Sequence, residues 1–417
     1  MNKDSFFAIL AVLTLQYLFI AFRRHSFSQG LSYNFLLLYA VALRVWFVLT
    51  PPFLSSDIWR YIWEGKVFLN GFSPYMFPPD SPRLAALRDS NWFLIDHRHL
   101  TAIYPPFALY LFSLFAQNIY LWKAFMGFCD LCSLALISKI LTHFNRPREN
   151  LLLYAFLPLS LIEISLEGHI EGALVPVFLL FFYLVAAMEG SLIISAIAAF
   201  GVGLKYIIVV PYIYYLKDLT LKEGLKHAIH HLSAFLFICL LLFFPFLSNP
   251  SELFGSFSVY VTHWKFNDSL FHLIGTVLGV DWNRSETFQG IKIAFGLLWL
   301  LLLVFMALRR VSIWSFSFFA LAFLLSLSPV VHPWYVLWLI PPLTIFPNTA
   351  GYWLALSSPL AYWPVLYSST FSVPLWIRIV EYLPFLCLLA ISFVKLSREE
   401  LRFPNSQRHT NGELGFL

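Results

Sequence analysis

The sequence predicts an all-α protein that crosses a membrane many times. Hydrophobic residues form 59% of its 417 residues and charged residues form 12%, whereas soluble domains have about 45–50% and about 25%. Apolar runs such as 232–247 and 297–308 would aggregate in water. A helix satisfies its own backbone hydrogen bonds in lipid, so these runs predict transmembrane helices. The net charge of +5 is spread thinly and does not favour a nucleic-acid partner.

The apolar runs predict about thirteen helices within residues 1–396, which we interpret as one transmembrane domain. The longer candidates cover 5–22, 33–52, 121–141, 150–166, 172–188, 228–248, 290–308, 311–330, 350–367 and 376–396. Shorter or interrupted candidates cover 191–203, 206–216 and 334–346. Residues 397–417 are polar and predict a short cytoplasmic tail.

The positive charges predict the orientation of these helices. Lys and Arg collect at 23–24, 146–148, 217–226, 309–310 and in the tail, and such clusters accumulate in short cytoplasmic loops. All of them reach that side only if the apolar run 104–119 does not span. We therefore expect this run to form an interfacial helix that begins at Pro105 and Pro106. The N-terminus is then outside, and 53–120 and 249–289 form two extracytoplasmic loops.

Charged and histidine side chains gather at the outer ends of the predicted helices. Ionisable groups at membrane depth are costly, so each is a candidate functional residue. Two half-helices that meet around Gly201, Gly203 and Lys205 would line a cavity there. The set comprises Arg44, Asp57, Arg60, Glu64, Glu167, His169, Glu171, Lys205, His263, Lys265, Asp268 and His332. Independent solvating charges would not favour one face, so the set indicates a site.

Structural alternatives stay open for several of these residues. Arg60 and Glu64 lie four residues apart and could pair on an interfacial helix. Lys205 could extend its ammonium group to the interface without binding a ligand. His332 also fits a belt of aromatic residues at the membrane surface. Structural pairing is the expectation for two deeper acids, Asp130 and Glu163.

This combination suits an enzyme that uses a lipid-linked phosphate donor. Arg or Lys would neutralise the phosphate, and a carboxylate would take the proton from an attacking sugar hydroxyl. Trp and Tyr rings would offer stacking faces to sugar. The alternative is a transporter or flippase of a lipid-linked or small polar substrate. Transporters tend to carry charges near the midplane and inverted repeats, whereas here the charges lie at one face and no repeat is evident.

Several motifs resemble one family of glycosyltransferases. They are LSSDIWRYIWEGKVFLNGFSPY at 54–75, YPP at 104–106, EGHIEGAL at 167–174, KY at 205–206, HWKFNDSLFHL at 263–273 and HPWYVLW at 332–338. Their order is similar to that of the GT-C glycosyltransferases, in particular the bacterial mannosyltransferases that depend on polyprenyl-phosphate mannose. The first motif is the most specific, and the ordered series from about 44 to 340 carries the resemblance.

The resemblance implies a GT-C fold in the cell membrane, with the active site at the extracytoplasmic face. It implies an inverting transfer of a sugar, mannose first of all, from a polyprenyl-phosphate donor to a glycan or glycolipid acceptor. Asp57 matches the family's general base. The residues expected to bind the donor phosphate are Arg44, Arg60, Lys205 and His332. The residues expected to bind sugar or acceptor are Glu64, Tyr104, Glu167, His169, Glu171, His263, Trp264, Asn267 and Trp334.

The chain departs from the family's pattern at two places. Ser56 stands where the family has a second acid beside the base. A pair of acids could hold a divalent metal, but Ser56 removes one of them, so we expect no metal and no other cofactor. Ile170 and Glu171 stand where the branch often has Asn and Asp, which leaves the donor and acceptor preference open. A non-catalytic relative that binds polyprenyl phosphate is a third possibility.

Overall fold

The chain is mostly helical in the part that the computed structural model describes, which is residues 5–27, 31–247, 250–280, 285–368 and 372–402. Within these ranges there is no β-strand, and an isolated bridge pairs Phe266 with Val330. This confirms the all-α class. The predicted tail 397–417 lies mostly outside the described residues, and its first part continues the last helix as far as Arg402.

The α-helices of the first half include long and short elements. They are α1 (Phe6–Arg23), α2 (Leu31–Leu49), α3 (Asp57–Leu69), α4 (Pro106–Leu114), α5 (Ile119–His143), α6 (Leu152–Ala155), α7 (Pro158–Ser160), α8 (Glu171–Ala187), α9 (Ile193–Leu204) and α10 (Val209–Glu223). A π-helix, Leu161–Leu166, continues α7. π-helical turns are rare and often occur beside functional sites.

The second half is organised in the same way. Its α-helices are α11 (Leu225–Phe243), α12 (Pro250–Leu253), α13 (Gly255–His263), α14 (Leu270–Val277), α15 (Ser285–Leu308), α16 (Ile313–Leu327), α17 (Ile340–Leu343), α18 (Thr349–Ser357), α19 (Trp363–Tyr367) and α20 (Leu375–Arg402). Short 3₁₀ helices cover Arg24–Phe27, Pro82–Leu87, Ser90–Leu94, Arg148–Leu151, Tyr206–Ile208, Phe244–Phe246, Pro333–Leu339 and Ser358–Tyr362.

Six helices in the described ranges are long and apolar enough to cross a membrane. They lie at Phe6–Phe27, Leu31–Leu49, Ile119–His143, Leu225–Phe246, Phe288–Leu308 and Leu375–Leu396. A pair bent by 50°, Arg148–Ala155 and Pro158–Leu166, would form a seventh span. Shorter apolar helices are α8, α9 and α16. These elements are typical of a multi-pass membrane protein.

Several predicted segments are shorter or more broken than the apolar runs suggested. The runs 334–346 and 350–367 fold as alternating 3₁₀ and α-helical pieces, because prolines at 341, 342, 359 and 364 remove backbone donors. The run 206–216 instead begins with the 3₁₀ helix Tyr206–Ile208 and leads into α10, which continues past Lys217 to Glu223. Hydropathy ends a segment at its first charges, whereas the helix itself can continue.

The first loop contains two helices that pack tightly against each other. A Cβ atom added to Gly65 in α3 would lie 2.4 Å from the carbonyl oxygen of Phe112 in α4. The Tyr61 ring stacks on the Phe112 ring with centroids 4.5 Å apart. With nine residues, α4 is about 13 Å long, too short for a hydrocarbon core of about 30 Å. This packing fixes α3, which begins at Asp57.

Candidate functional site

A cavity of about 1310 Å³ opens among six separate stretches of the chain, one of which contributes Tyr362 and Val365. The other five are the first loop, the break after α9, the second loop, the connection from α16 to Pro333–Leu339, and the start of α20. The cavity brings together part of the predicted site. The predicted residues that line it are Asp57, Arg60, Tyr104, Lys205, Trp264, Lys265, Asn267, His332 and Trp334.

Asp57 lies at the cavity wall as the first residue of α3. Its Oδ2 atom accepts hydrogen bonds from the hydroxyl groups of Tyr104, at 3.3 Å, and Tyr61, at 3.4 Å. The two hydroxyls also lie 3.0 Å from each other. A carboxylate at a helix N-terminus is further stabilised by the helix dipole. The carboxylate is therefore held in one orientation while it faces the cavity.

Glu167 does not line the cavity but holds the segment that leads to Asp57. Its two carboxylate oxygens accept the backbone N–H groups of Phe53 and Ser55, each at 3.1 Å. The Ser55 hydroxyl then accepts the N–H of Asp57 at 3.2 Å. Glu167 was expected to bind sugar, and the structure places it behind the wall instead. The next residue, Gly168, has a φ of +71°, so the chain turns directly after Glu167.

Arg60 reaches the cavity, but its hydrogen-bond donors are already engaged. Its Nε donates to Glu64 at 2.8 Å, and its four terminal N–H groups have four backbone carbonyl acceptors between 2.5 and 3.4 Å, at Asp96, His97, Leu100 and Thr101. A guanidinium has five N–H donors, so none is left for a phosphate. Glu64 is buried and absent from the cavity wall. The structural pairing of Arg60 with Glu64 is the arrangement found, and neither residue is placed to bind substrate.

Burial affects the acidity of Glu64. Desolvation raises the pKa of this carboxyl, and the Arg60 guanidinium lowers it in turn. The arginine therefore compensates for a costly buried charge, which is the usual reason that such a pair persists.

Lys205 occupies an aromatic box at the break after α9. Its ammonium group pairs with Glu171 and lies 4.5 Å from the ring centre of Tyr335 and 5.1 Å from that of Trp338. The Tyr104 ring centre is 5.8 Å away. Aromatic faces attract cations, so the box holds the charge at the cavity wall. Glu171 itself is buried and does not line the cavity, contrary to its expected sugar contact.

A row of stacked rings forms another part of the wall. The His332 ring stacks on Phe266, with centroids 4.8 Å apart, and on Trp334, at 4.3 Å. Trp334 in turn stacks on His169 at 4.0 Å. His332 is thus stacked between two aromatic rings. It contributes to the aromatic wall of the cavity rather than a positive charge for phosphate. His169 is fully buried behind Trp334 and near Glu163, so it supports the wall without touching the cavity.

Trp264 and Asn267 of the second loop both line the cavity but make different contacts. Trp264 lines the cavity, with its ring 4.7 Å from that of His97. The amide of Asn267 donates to both carboxylate oxygens of Glu381 in α20, at 3.1 and 3.0 Å. Its φ of +49° places it in the left-handed region. Asn267 therefore ties the loop to the last helix. His263 is exposed at the end of α13 and is absent from the cavity wall.

Arg44 lies in the interior of the helix bundle and does not line the cavity. Its Nε donates to Asp130 at 2.7 Å, and its Nη1 donates to the carbonyl of Ala155, also at 2.7 Å. Both charged side chains are buried. The expectation that Arg44 binds phosphate is therefore wrong in position, whereas Asp130 forms the structural pair expected of it.

Arg378 is a cavity residue that sequence reasoning missed. It lies near the beginning of α20, and its guanidinium donates to the backbone carbonyl of Asp268 at 2.6 Å and to the Asp268 carboxylate. A signal was available, since the predicted topology puts residue 378 at the outer end of a helix, where Arg is uncommon. Tyr260, Tyr335 and Tyr362 also line the cavity and had no distinctive spacing in the sequence.

Potential metal ligands are sparse in the described part of the chain. Ser56 lies at the cavity wall beside Asp57. Within the described ranges, no group of three or more His, Cys, Asp or Glu side chains could hold a metal ion.

Comparisons with known proteins add no relative to this picture. No model of a protein family matches the chain, and a search of the curated proteins finds no match either.

Proposed function

We propose that the chain is a GT-C-type membrane glycosyltransferase that moves a sugar from a polyprenyl-phosphate donor to an extracytoplasmic glycan or glycolipid. Mannose is the first sugar to try. One observation carries the proposal: a single large cavity has an oriented carboxylate, cationic side chains and a stacked aromatic wall. Sugar transfer from a lipid phosphate requires these three groups. The ordered motifs of the sequence support the same reaction.

Asp57 acts as the general base in this proposal. Its carboxylate accepts the proton of an acceptor hydroxyl while that oxygen attacks the anomeric carbon of the donor sugar. The bond from this carbon to the phosphate oxygen breaks, and polyprenyl phosphate leaves with the bonding electron pair. Attack from the face opposite the phosphate inverts the anomeric configuration. The Tyr61 and Tyr104 hydroxyls hold the carboxylate in position for the transfer.

The aromatic residues bind the sugar rings. Tyr104, Trp264 and Trp334 line the cavity from three separate stretches of the chain, and Trp and Tyr combine an apolar face with a polar edge. A cavity of about 1310 Å³ exceeds the range of about 300–1,000 Å³ that is usual for one small ligand. The volume therefore suits a donor sugar and an acceptor bound together.

The proposal includes a location in the cell. The long apolar helices cross the cell membrane, and the cavity opens at its extracytoplasmic face. The clusters of Lys and Arg at 146–148 and 217–226 lie on the cytoplasmic side. A lipid-linked donor then reaches the cavity sideways from the outer leaflet.

The decisive experiment is turnover of labelled polyprenyl-phosphate sugars by the purified protein in lipid nanodiscs. We expect transfer to a glycan or glycolipid acceptor, and loss of transfer in Asp57→Asn with unchanged donor binding. Asp80→Asn, at an exposed position of the same loop, serves as the matched control. Full activity in Asp57→Asn would remove this residue as the base.

The same preparation separates the alternative functions. A transporter or flippase would move labelled lipid between leaflets of a vesicle without forming any product. Such movement, in the absence of transfer from each of several donor sugars, would overturn the proposed reaction.

A further inference from the structure

The second loop and α20 place two cations in the wall of the cavity. The Arg378 guanidinium pairs with the Asp268 carboxylate and its backbone carbonyl. The Lys265 ammonium lies 3.5 Å from the other carboxylate oxygen of Asp268. Lys265 and Arg378 both line the cavity, and about 25% and 11% of their side chains are exposed. We call Lys265, Asp268 and Arg378 the second-loop cluster.

The second-loop cluster has more positive than negative charge. Two cations share one carboxylate, which is fully buried. His272 lines the cavity beside them, with its Nδ1 atom 4.0 Å from Asp268. Burial and the nearby Arg378 lower the pKa of His272, and this effect outweighs that of Asp268, which raises it. The ring therefore adds no charge at neutral pH. Glu381, another acid near Arg378, is buried, absent from the cavity wall and bound by the Asn267 amide. Lys265 and Arg378 are therefore the charged groups that the second loop and α20 present to the cavity.

Around Asp57 the charges are arranged differently. The carboxylate of Asp57 lies at the cavity wall, and Lys205 is already paired with Glu171. Arg60 has Glu64 and four carbonyl groups around its guanidinium. A phosphate placed beside Asp57 would be repelled by the negative charge of that carboxylate. Electrostatics therefore favours binding of an anion at the second-loop cluster.

The surface beside Arg378 suits a hydrocarbon chain. Leu375, Trp376 and Ile379 flank Arg378 in α20 and are 62%, 48% and 49% exposed. The same helix belongs to a span long enough to cross the membrane. A lipid whose head group enters the cavity at Arg378 can lay its tail on this apolar surface. A free anion would make no use of it.

We propose that Lys265 and Arg378 bind the phosphate group of a polyprenyl lipid and so anchor the donor at the second-loop cluster. The proposal rests on the proposed function, because it names where that reaction's donor phosphate lies. It assigns the phosphate to residues other than Arg44 and Arg60.

The test is a binding measurement that needs no sugar transfer. The protein in nanodiscs is titrated with a polyprenyl monophosphate, with the matching polyprenol and with inorganic phosphate. We expect the wild type to bind the lipid phosphate at least about tenfold more tightly than the polyprenol, since charge-assisted hydrogen bonds are strong. Inorganic phosphate, without the tail, should bind far more weakly than either lipid.

Two variants and a matched control locate the phosphate. Lys265→Met should reduce the preference for phosphate over polyprenol by about tenfold and leave polyprenol binding unchanged. Arg378→Lys keeps the charge but loses the planar donor pair, so it should reduce the preference less. Lys226→Met, at an exposed position in α11, should behave as wild type. Thermal unfolding shows that each variant is folded.

Three results would overturn the inference. One is an unchanged preference in both Lys265→Met and Arg378→Lys. Another is loss of the preference in Lys205→Met instead, which would place the phosphate in the aromatic box and leave the proposed reaction intact. The third is equal binding of inorganic phosphate and lipid phosphate, which would identify a site for free anions. Failure of sugar transfer with the binding pattern intact would overturn the reaction alone.

Discussion

Glu167 shows at the scale of one residue how a group outside the cavity positions a segment of its wall. Its two oxygens accept two backbone N–H groups just before Asp57. In Glu167→Gln one oxygen becomes an amide NH₂, so one N–H loses its acceptor. Because a hydrogen bond to a charged group contributes about 1.5–3 kcal/mol, we expect kcat to fall by tenfold or more. Steady-state kinetics with a fixed donor measures this.

The kinetic pattern distinguishes positioning from contact with substrate. A positioning role predicts a lower kcat with unchanged donor binding. Glu189→Gln is the control, since Glu189 is exposed and pairs with Lys222. If Glu167→Gln weakened donor binding and left kcat unchanged, Glu167 would have to touch the donor.

Arg60 and Arg378 show why single residues were only partly predictable. The spacing of Arg60 and Glu64 allowed both a pair and a phosphate site, and only the positions of the carbonyls at 96–101 decide between them. Those carbonyls come from a stretch without regular structure, which no periodicity predicts. Arg378 lies 110 residues from its partner Asp268. The sequence pattern around either residue therefore gives no sign that Arg378 and Asp268 pair.

At the scale of elements, the contact of α3 with α4 depends on Gly65. A methyl group there would lie 2.4 Å from a backbone carbonyl, so Gly65→Ala must push the helices apart. Overpacking of this kind costs about 1–3 kcal/mol, and we expect a clear fall in the melting temperature and in transfer. Gly296→Ala, in α15 with no heavy atom near the added Cβ, should be neutral or slightly stabilising. Equal melting temperatures for the two variants would contradict the close contact.

The 3₁₀ helix Ser90–Leu94 gives the first loop a pH-dependent element. Asp89 caps it by accepting the N–H groups of Asn91 and Trp92 and also pairs with Lys66. Burial alone would raise the pKa of Asp89, but Lys66 and the two N–H groups lower it below the ordinary 3.8. The stabilisation is thus present above pH 3.8 and is lost as the pH falls through the lower pKa of the folded state.

Asp89→Asn tests this stabilisation, since Asn also caps helices but has no charge. We expect the variant to melt at a lower temperature than the wild type at pH 6. The difference should shrink below about pH 3.8, as measured by thermal unfolding in detergent. Asp80→Asn is the control in the same loop. A difference that persisted at low pH would mean that the charge of Asp89 contributes nothing.

The helix pattern was predictable where apolar runs were long and free of proline. The spans at α1, α5 and α15 correspond to such runs, and α20 is an exception because it continues through Pro384. Prediction was weaker where prolines divide the chain, as in 334–346 and 350–367, because hydropathy measures burial and not backbone continuity. The folded first loop also gave little signal, since its 3₁₀ helices are too short for a period to emerge.

At the scale of the whole molecule, the proposed topology separates two exposed positions. Arg83 lies in the first loop and Lys226 at the beginning of α11. In a background without the four native cysteines, Arg83→Cys should react with a membrane-impermeant maleimide in intact cells. Lys226→Cys should react only after the cells are permeabilised. Labelling of both from the same side would refute the topology, and with it the extracytoplasmic location of the cavity.

The contacts between the second loop and α20 have a consequence for how the chain is made. Asn267 and Asp268 are buried, and their side-chain partners Glu381 and Arg378 lie more than 100 residues later. During synthesis the ribosome adds α20 after the second loop, so until then this buried carboxylate and amide lack those partners. The cost of burying unpaired polar groups should hold the loop open until the final span inserts. A nascent chain that stops short of α20 would then expose an incomplete cavity, which cellular quality control can recognise.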